Sequence, residues 1–116
     1  MPEQHFLTLL KDAIGYNQLE RYFEGGAALI ERAESPDDLR PDLAAIAADL
    51  KDPGGLKLSH AQRRMLTVLV ALWDGGAADR LFGEGLGSLS RIIGAMDRGN
   101  RKRLADIIVA YPGWGG

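Results

Sequence analysis

Leu58-Ser59-His60-Ala61-Gln62-Arg63-Arg64-Met65-Leu66-Thr67-Val68-Leu69-Val70-Ala71-Leu72-Trp73-Asp74-Gly75-Gly76 is the stretch whose reading decides the fold. Ser59 followed three residues later by Gln62 is a capping box, in which the hydroxyl accepts from the Gln62 N–H and the glutamine amide reaches back. A helix is therefore predicted from His60. The hydrophobic staple is missing, because Leu58 finds Arg63 where an apolar partner is needed. Asp74-Gly75-Gly76 supplies the predicted stop, with a glycine in the left-handed conformation. Between these signals, Met65 to Trp73 holds one polar residue, Thr67. A helix apolar on all sides has to be wrapped on all sides, and this one is too short for a bilayer, which needs roughly 20 apolar residues. Burying each large side chain contributes about 1.5–3 kcal/mol, so the rest of the chain is expected to pack around this rod.

Upstream, Phe6, Leu9, Leu10, Ala13 and Ile14 recur at helical spacing and predict a helix from Glu3 to Ile14, closed by Gly15. Asn17 with Glu20 repeats the capping pattern. Leu19, Tyr22, Phe23, Leu29, Ile30 and Ala33 then keep one phase across Gly25-Gly26, where each glycine costs about 1 kcal/mol in a helix. A kinked or interrupted helix over Gln18 to Glu34 is predicted. Ser35-Pro36-Asp37-Asp38 is a further start signal. Pro41 disfavours helix at Arg40, so a single turn is expected before a helix from Pro41 to Lys51.

Asp52-Pro53-Gly54-Gly55 reads as a loop, Ala77 to Phe82 as a short turn, and Gly83 to Ser88 as a glycine-rich connection. Leu89, Ile92, Ile93 and Met96 mark another helix, ending near Asp97. Leu104, Ile107, Ile108 and Tyr111 mark the last, ending at Pro112. The expected fold is all-α: a compact single-domain bundle of five to seven helices around a buried central helix at about 60–74. The domain covers residues 1–112, and 113–116 form a short tail, loose unless Trp114 folds back.

The 116 residues contain no cysteine, which removes disulfides and thiolate metal sites. The start lacks the basic region and apolar block of a secretory signal, and no membrane span follows; a soluble, cytoplasmic protein is expected. The net charge of −2 conceals polarity. Residues 1–58 carry eleven acids and six bases, whereas residues 59–116 carry five acids and eight bases.

No catalytic residue, cofactor site or metal site is predicted. His5 and His60 are the only histidines and lack metal-ligand spacing. Ser59 is accounted for as a cap, and its neighbour His60 points away from it. The Gly83 to Ser88 loop lacks the strand of a dinucleotide fingerprint and the lysine of a P-loop, and Glu84 repels phosphate.

What remains is a surface reading. The expected function is that of a small non-catalytic interaction protein, an adaptor or inhibitor that covers a surface on another protein. A nucleic-acid enzyme or its complex is one such target, as it is for small phage and mobile-element inhibitors. Glu31, Glu34, Asp37, Asp38 and Trp114 are the candidate contacts, with Trp114 serving as either a lid on the core or an exposed anchor. The alternative is a helical nucleic-acid binder using Arg63, Arg64, Arg98, Arg101, Lys102 and Arg103, a patch that would make binding fall steeply with salt. A small enzyme with an unrecognised site is a third reading. A monomer or small homo-oligomer, with no membrane partner, is expected.

Overall fold

The computed structural model describes residues 2–83 and 89–115. Among them the chain forms seven α-helices: α1 (Pro2–Tyr16), α2 (Gly26–Arg32), α3 (Leu43–Lys51), α4 (His60–Trp73), α5 (Gly75–Phe82), α6 (Leu89–Ala95) and α7 (Arg98–Ala110). Two 3₁₀ turns, Glu20–Tyr22 and Pro36–Asp38, flank α2. The architecture is the expected all-α bundle with α4 at its centre, packed against α5, α6 and α7.

The capping box that opens α4 is formed: Ser59 Oγ accepts from Gln62 N at 3.2 Å, and Gln62 Oε1 accepts from Ser59 N at 2.8 Å. Met65 to Val70 are then buried without a break. Thr67 is tolerated there because its hydroxyl donates to the Arg63 carbonyl at 2.9 Å, which leaves no orphaned polar atom. The exit from α4 departs from the expected glycine stop. Asp74 is extended, and its carboxylate accepts from Ala77 N at 3.2 Å, so one residue closes α4 and caps α5. Gly75 and Gly76 become the first turn of α5, and the predicted turn at 77–82 is helix. The cause is tertiary: Ala77, Ala78 and Phe82 are buried, and only a helix puts all three on one face.

α1 runs past Gly15 and closes at Gln18, whose φ of 56° is left-handed. Gln18 N donates to Gly15 O at 3.1 Å and Leu19 N to Ile14 O at 2.9 Å, the pair of bonds of a Schellman motif. Asn17 does not cap the following segment as predicted, because it is buried and hydrogen-bonded elsewhere. The segment from 18 to 34 is interrupted: Gly25 and Gly26 both take positive φ, and a Cβ on Gly25 would strike the Leu29 side chain.

α3 starts at Leu43 rather than Pro41. Pro41 forms an isolated bridge with Phe23, flanked by Glu24 N to Arg40 O and Asp42 N to Tyr22 O, each 2.8 Å. Asp42 then caps α3 through Ala45 N at 3.0 Å. The tail is docked over residues 113–115. Trp114 is 7% exposed, its ring meets Phe6 edge-on, and its Nε1 donates to Pro36 O at 2.8 Å.

α7 lies on α1. Asn17 Nδ2 donates to Asn100 Oδ1 at 2.8 Å, and Asn100 Nδ2 returns a bond to Asn17 Oδ1 at 2.7 Å. Both amides are buried, so this reciprocal pair sets the register of the two helices. It fixes which side of α7 faces outward.

Candidate functional site

The acidic candidates cluster around the connection from α2 to the second 3₁₀ turn. Asp38 is part of the fold: its Oδ2 accepts from Glu34 N at 3.0 Å and Ser35 N at 3.2 Å. Those two backbone donors hold its carboxyl below the usual aspartate range. Glu31 and Glu34 are exposed, while their carbonyls accept from Lys11 Nζ and Gln4 Nε2. Asp37 lines a surface hollow of about 430 Å³ with Glu24, Arg40, Trp73 and Gly115. Trp114 is not an exposed anchor. It is the lid, because edge contact with Phe6 and the bond to Pro36 satisfy both its apolar ring and its N–H.

The cations do not form one patch. Arg103 is engaged internally, paired with Asp12 at 2.8 Å and stacked 3.7 Å above the Tyr16 ring. Arg101 Nε donates to the Ile93 and Met96 carbonyls at the end of α6. Arg63 lies over the Phe82 ring. Arg98, Lys102 and Arg103 line a hollow of about 490 Å³ with Asp12, Gly99 and Asp106, and neither Arg63 nor Arg64 borders it. Lys102 pairs with Asp106 across one helical turn, an exposed contact of small value. Arg98 makes no hydrogen bond or ion pair with any described residue.

α7 begins at Asp97, whose carboxylate accepts from Asn100 N at 2.7 Å. Cations in the first turns of a helix oppose its macrodipole, at a cost of about 0.3–1 kcal/mol each. Arg98 therefore sits at an unfavourable place, whereas Lys102 lies one turn further on and is paired with Asp106.

The other end of the same helix departs from expectation. Leu104 and Ile107 are buried as predicted, but Ile108 is 60% and Val109 87% exposed. Tyr111 is 41% exposed, although its ring touches Phe6 edge-on. Between α6 and α7, Ile93, Leu104, Ala105 and Ile108 line a shallow groove of about 180 Å³ with Arg101 at its margin. The sequence signal for this was the run Ile107-Ile108-Val109. A helix resting on a bundle buries a stripe of about 100°, so three successive apolar residues cannot all turn inward. Burial of Leu104 and Ile107 sends Val109 out.

Among the described residues, no three His, Asp or Glu side chains converge as a metal set. His5 and His60 are exposed, and Ser59 caps α4. Tyr22 has its phenol pushed up to about 12, first by burial and then by its bond to Asp49 Oδ2 at 2.6 Å. That contact, with Arg21 on the same oxygen at 3.0 Å, ties the first 3₁₀ turn to α3. The glycine-rich stretch 84–88 lies outside the described residues. No helix described is long and apolar enough to cross a membrane. Compared with known protein families, curated proteins and solved structures, the chain matches none.

Proposed function

We propose that this chain is a non-catalytic binding protein, an adaptor or inhibitor, that engages another protein through the outward face of α7. The observation carrying this reading is the adjacent exposure of Ile108 and Val109, on a helix whose inner face is already filled by Leu104 and Ile107. Apolar side chains left in water on a well-packed helix are stabilised when a partner covers them. Glu31, Glu34 and Asp37 form a separate exposed acidic region; Asp38 leaves that set because its carboxylate closes a turn.

The nucleic-acid reading has weaker support. Arg101 and Arg103 are held by intramolecular contacts, and Arg63 and Arg64 border neither α7 hollow.

Site-specific incorporation of a photoreactive phenylalanine at Val109, followed by irradiation in extract of the native cell, tests the proposal. A dominant protein adduct is expected, suppressed by excess unlabelled wild-type protein and not by the Val109→Glu variant. Absence of a protein adduct, or equal suppression by both competitors, would refute the reading.

A further inference from the structure

The outward face of α7 carries more than exposed apolar side chains. Arg98, Lys102, Ala105 and Val109 follow one another at helical spacing, and all four are exposed. The stripe is cationic over the first turns, small in the middle and apolar at the end, with Ile108 and the α6–α7 groove alongside its apolar half. Arg98 has no internal partner among the described residues, and Lys102 has only the exposed pair with Asp106. Arg98, at the first position of α7, opposes the dipole of its own helix. At the cationic half Arg98 is left without a carboxylate and Lys102 holds Asp106 only through an exposed pair, and at the other half Ile108 and Val109 are left without hydrocarbon cover.

We infer that α7 receives an amphipathic helix of a partner protein, one that presents apolar side chains to Ile108 and Val109 and carboxylates to Arg98 and Lys102. The inference rests on the protein-binding reading above and specifies the partner's chemistry. At a rise of 1.5 Å per residue, Lys102 and Arg98 lie about 10 and 16 Å from Val109 along the axis. The partner's acidic residues therefore stand roughly two to three helical turns from its apolar ones. Carboxylates there neutralise Arg98, whose charge the α7 dipole disfavours, and the exposed Lys102, while the apolar end is read as helix-in-groove contacts usually are.

Other occupants fit less well. Nucleic acid complements the cations but offers Ile108 and Val109 only a phosphate backbone. A lipid surface favours a helix whose apolar and basic faces lie on opposite sides, whereas here the two are separated lengthwise and the opposite side is packed into the bundle. A second copy docked α7 on α7 in antiparallel fashion would set Arg98 and Lys102 against Ile108 and Val109, which matches neither end.

The test uses two synthetic helical peptides with the same Leu/Phe stripe at one end, carrying Glu or Lys at the other. Each is titrated into the full chain and followed by fluorescence anisotropy. The expected result is at least about tenfold tighter binding of the Glu peptide. That affinity should fall by a similar factor in Val109→Glu and in the double variant Arg98→Glu/Lys102→Glu. Arg98→Glu places an acid at the helix start while Lys102→Glu gives up the exposed pair with Asp106, so the two small effects on folding oppose each other, and an unchanged melting temperature accompanies the titration.

Equal binding of the two peptides would overturn the inference, as would affinity that survives Arg98→Glu/Lys102→Glu. Displacement of the Glu peptide by duplex DNA, or a wild-type dimer that Val109→Glu dissociates in sedimentation, would assign the face to another occupant and overturn it too. Photocrosslinking at Val109 separates the two levels. A protein adduct that persists in the Arg98→Glu/Lys102→Glu background sinks the inference and leaves the proposed function standing, whereas no protein adduct at all sinks the reading beneath it.

Discussion

Replacing either member of the buried amide pair between α1 and α7 probes the contact that orients the proposed binding helix. In Asn100→Ala, Asn17 Nδ2 keeps its bond to the Ala13 carbonyl at 2.8 Å, so only Asn17 Oδ1 loses its partner. In Asn17→Ala, both Asn100 Oδ1 and Nδ2 are stranded in a buried site. An orphaned buried polar group costs about 1–3 kcal/mol. Asn100→Ala is therefore expected to destabilise by about 1–3 kcal/mol and Asn17→Ala by roughly twice that. The double variant removes both sides at once, so the singles should sum to more than the double, with a coupling of about 2 kcal/mol for two reciprocal bonds. Urea unfolding of the four proteins at one pH supplies the cycle. Single-variant costs that add to within about 0.5 kcal/mol, or an Asn100→Ala more damaging than Asn17→Ala, would refute the reasoning.

Gln18→Gly should stabilise by about 0.5–1 kcal/mol in the same assay, because it removes the cost of a left-handed non-glycine and gives back part of that gain as unfolded-chain entropy. Trp114→Ala should lower the melting temperature, with a loss of about 3 kcal/mol for removing a buried indole, whereas an unaltered melting temperature would mean the tail does not dock. Asp38 titrates below its ordinary value of 3.8 when folded, so its contribution is present above that pH and lost as pH falls through the lower folded value. Asp38→Asn should accordingly be less stable than wild type near neutrality, with the gap closing in acid. Near-ultraviolet absorbance titration should show a phenol ionising at about 12 that is missing from Tyr22→Phe.

Capping chemistry made much of the fold legible. Ser59 with Gln62 marks the start of α4 because both bonds are local, needing nothing beyond the next turn. Where tertiary contacts compete with local rules, the sequence reads less clearly. Gly75-Gly76 resembles a stop, yet Asp74 can cap forward, and burial of Ala77, Ala78 and Phe82 favours continuing as helix. Asn17 resembles a cap until Asn100, distant in the chain, takes its amide. At the candidate site, the cations of α7 were visible in sequence, but which of them stay available was not. That depends on Asp12 and Tyr16 of α1, which occupy Arg103, and on the end of α6, which occupies Arg101. Trp114 could not be assigned from sequence for the same reason, since Phe6 and Pro36 decide it.

Solvent exposure of the α7 outer face in the presence of its partner is the quantity on which the proposed function stands. The most direct measurement is capture by the photoreactive residue at Val109, repeated with Ile108→Glu introduced alongside it. One dominant protein adduct, reduced by about tenfold or more in the Ile108→Glu background at unchanged melting temperature, is the predicted result. An adduct of undiminished yield, or irradiation that joins position 109 to no protein, would contradict it.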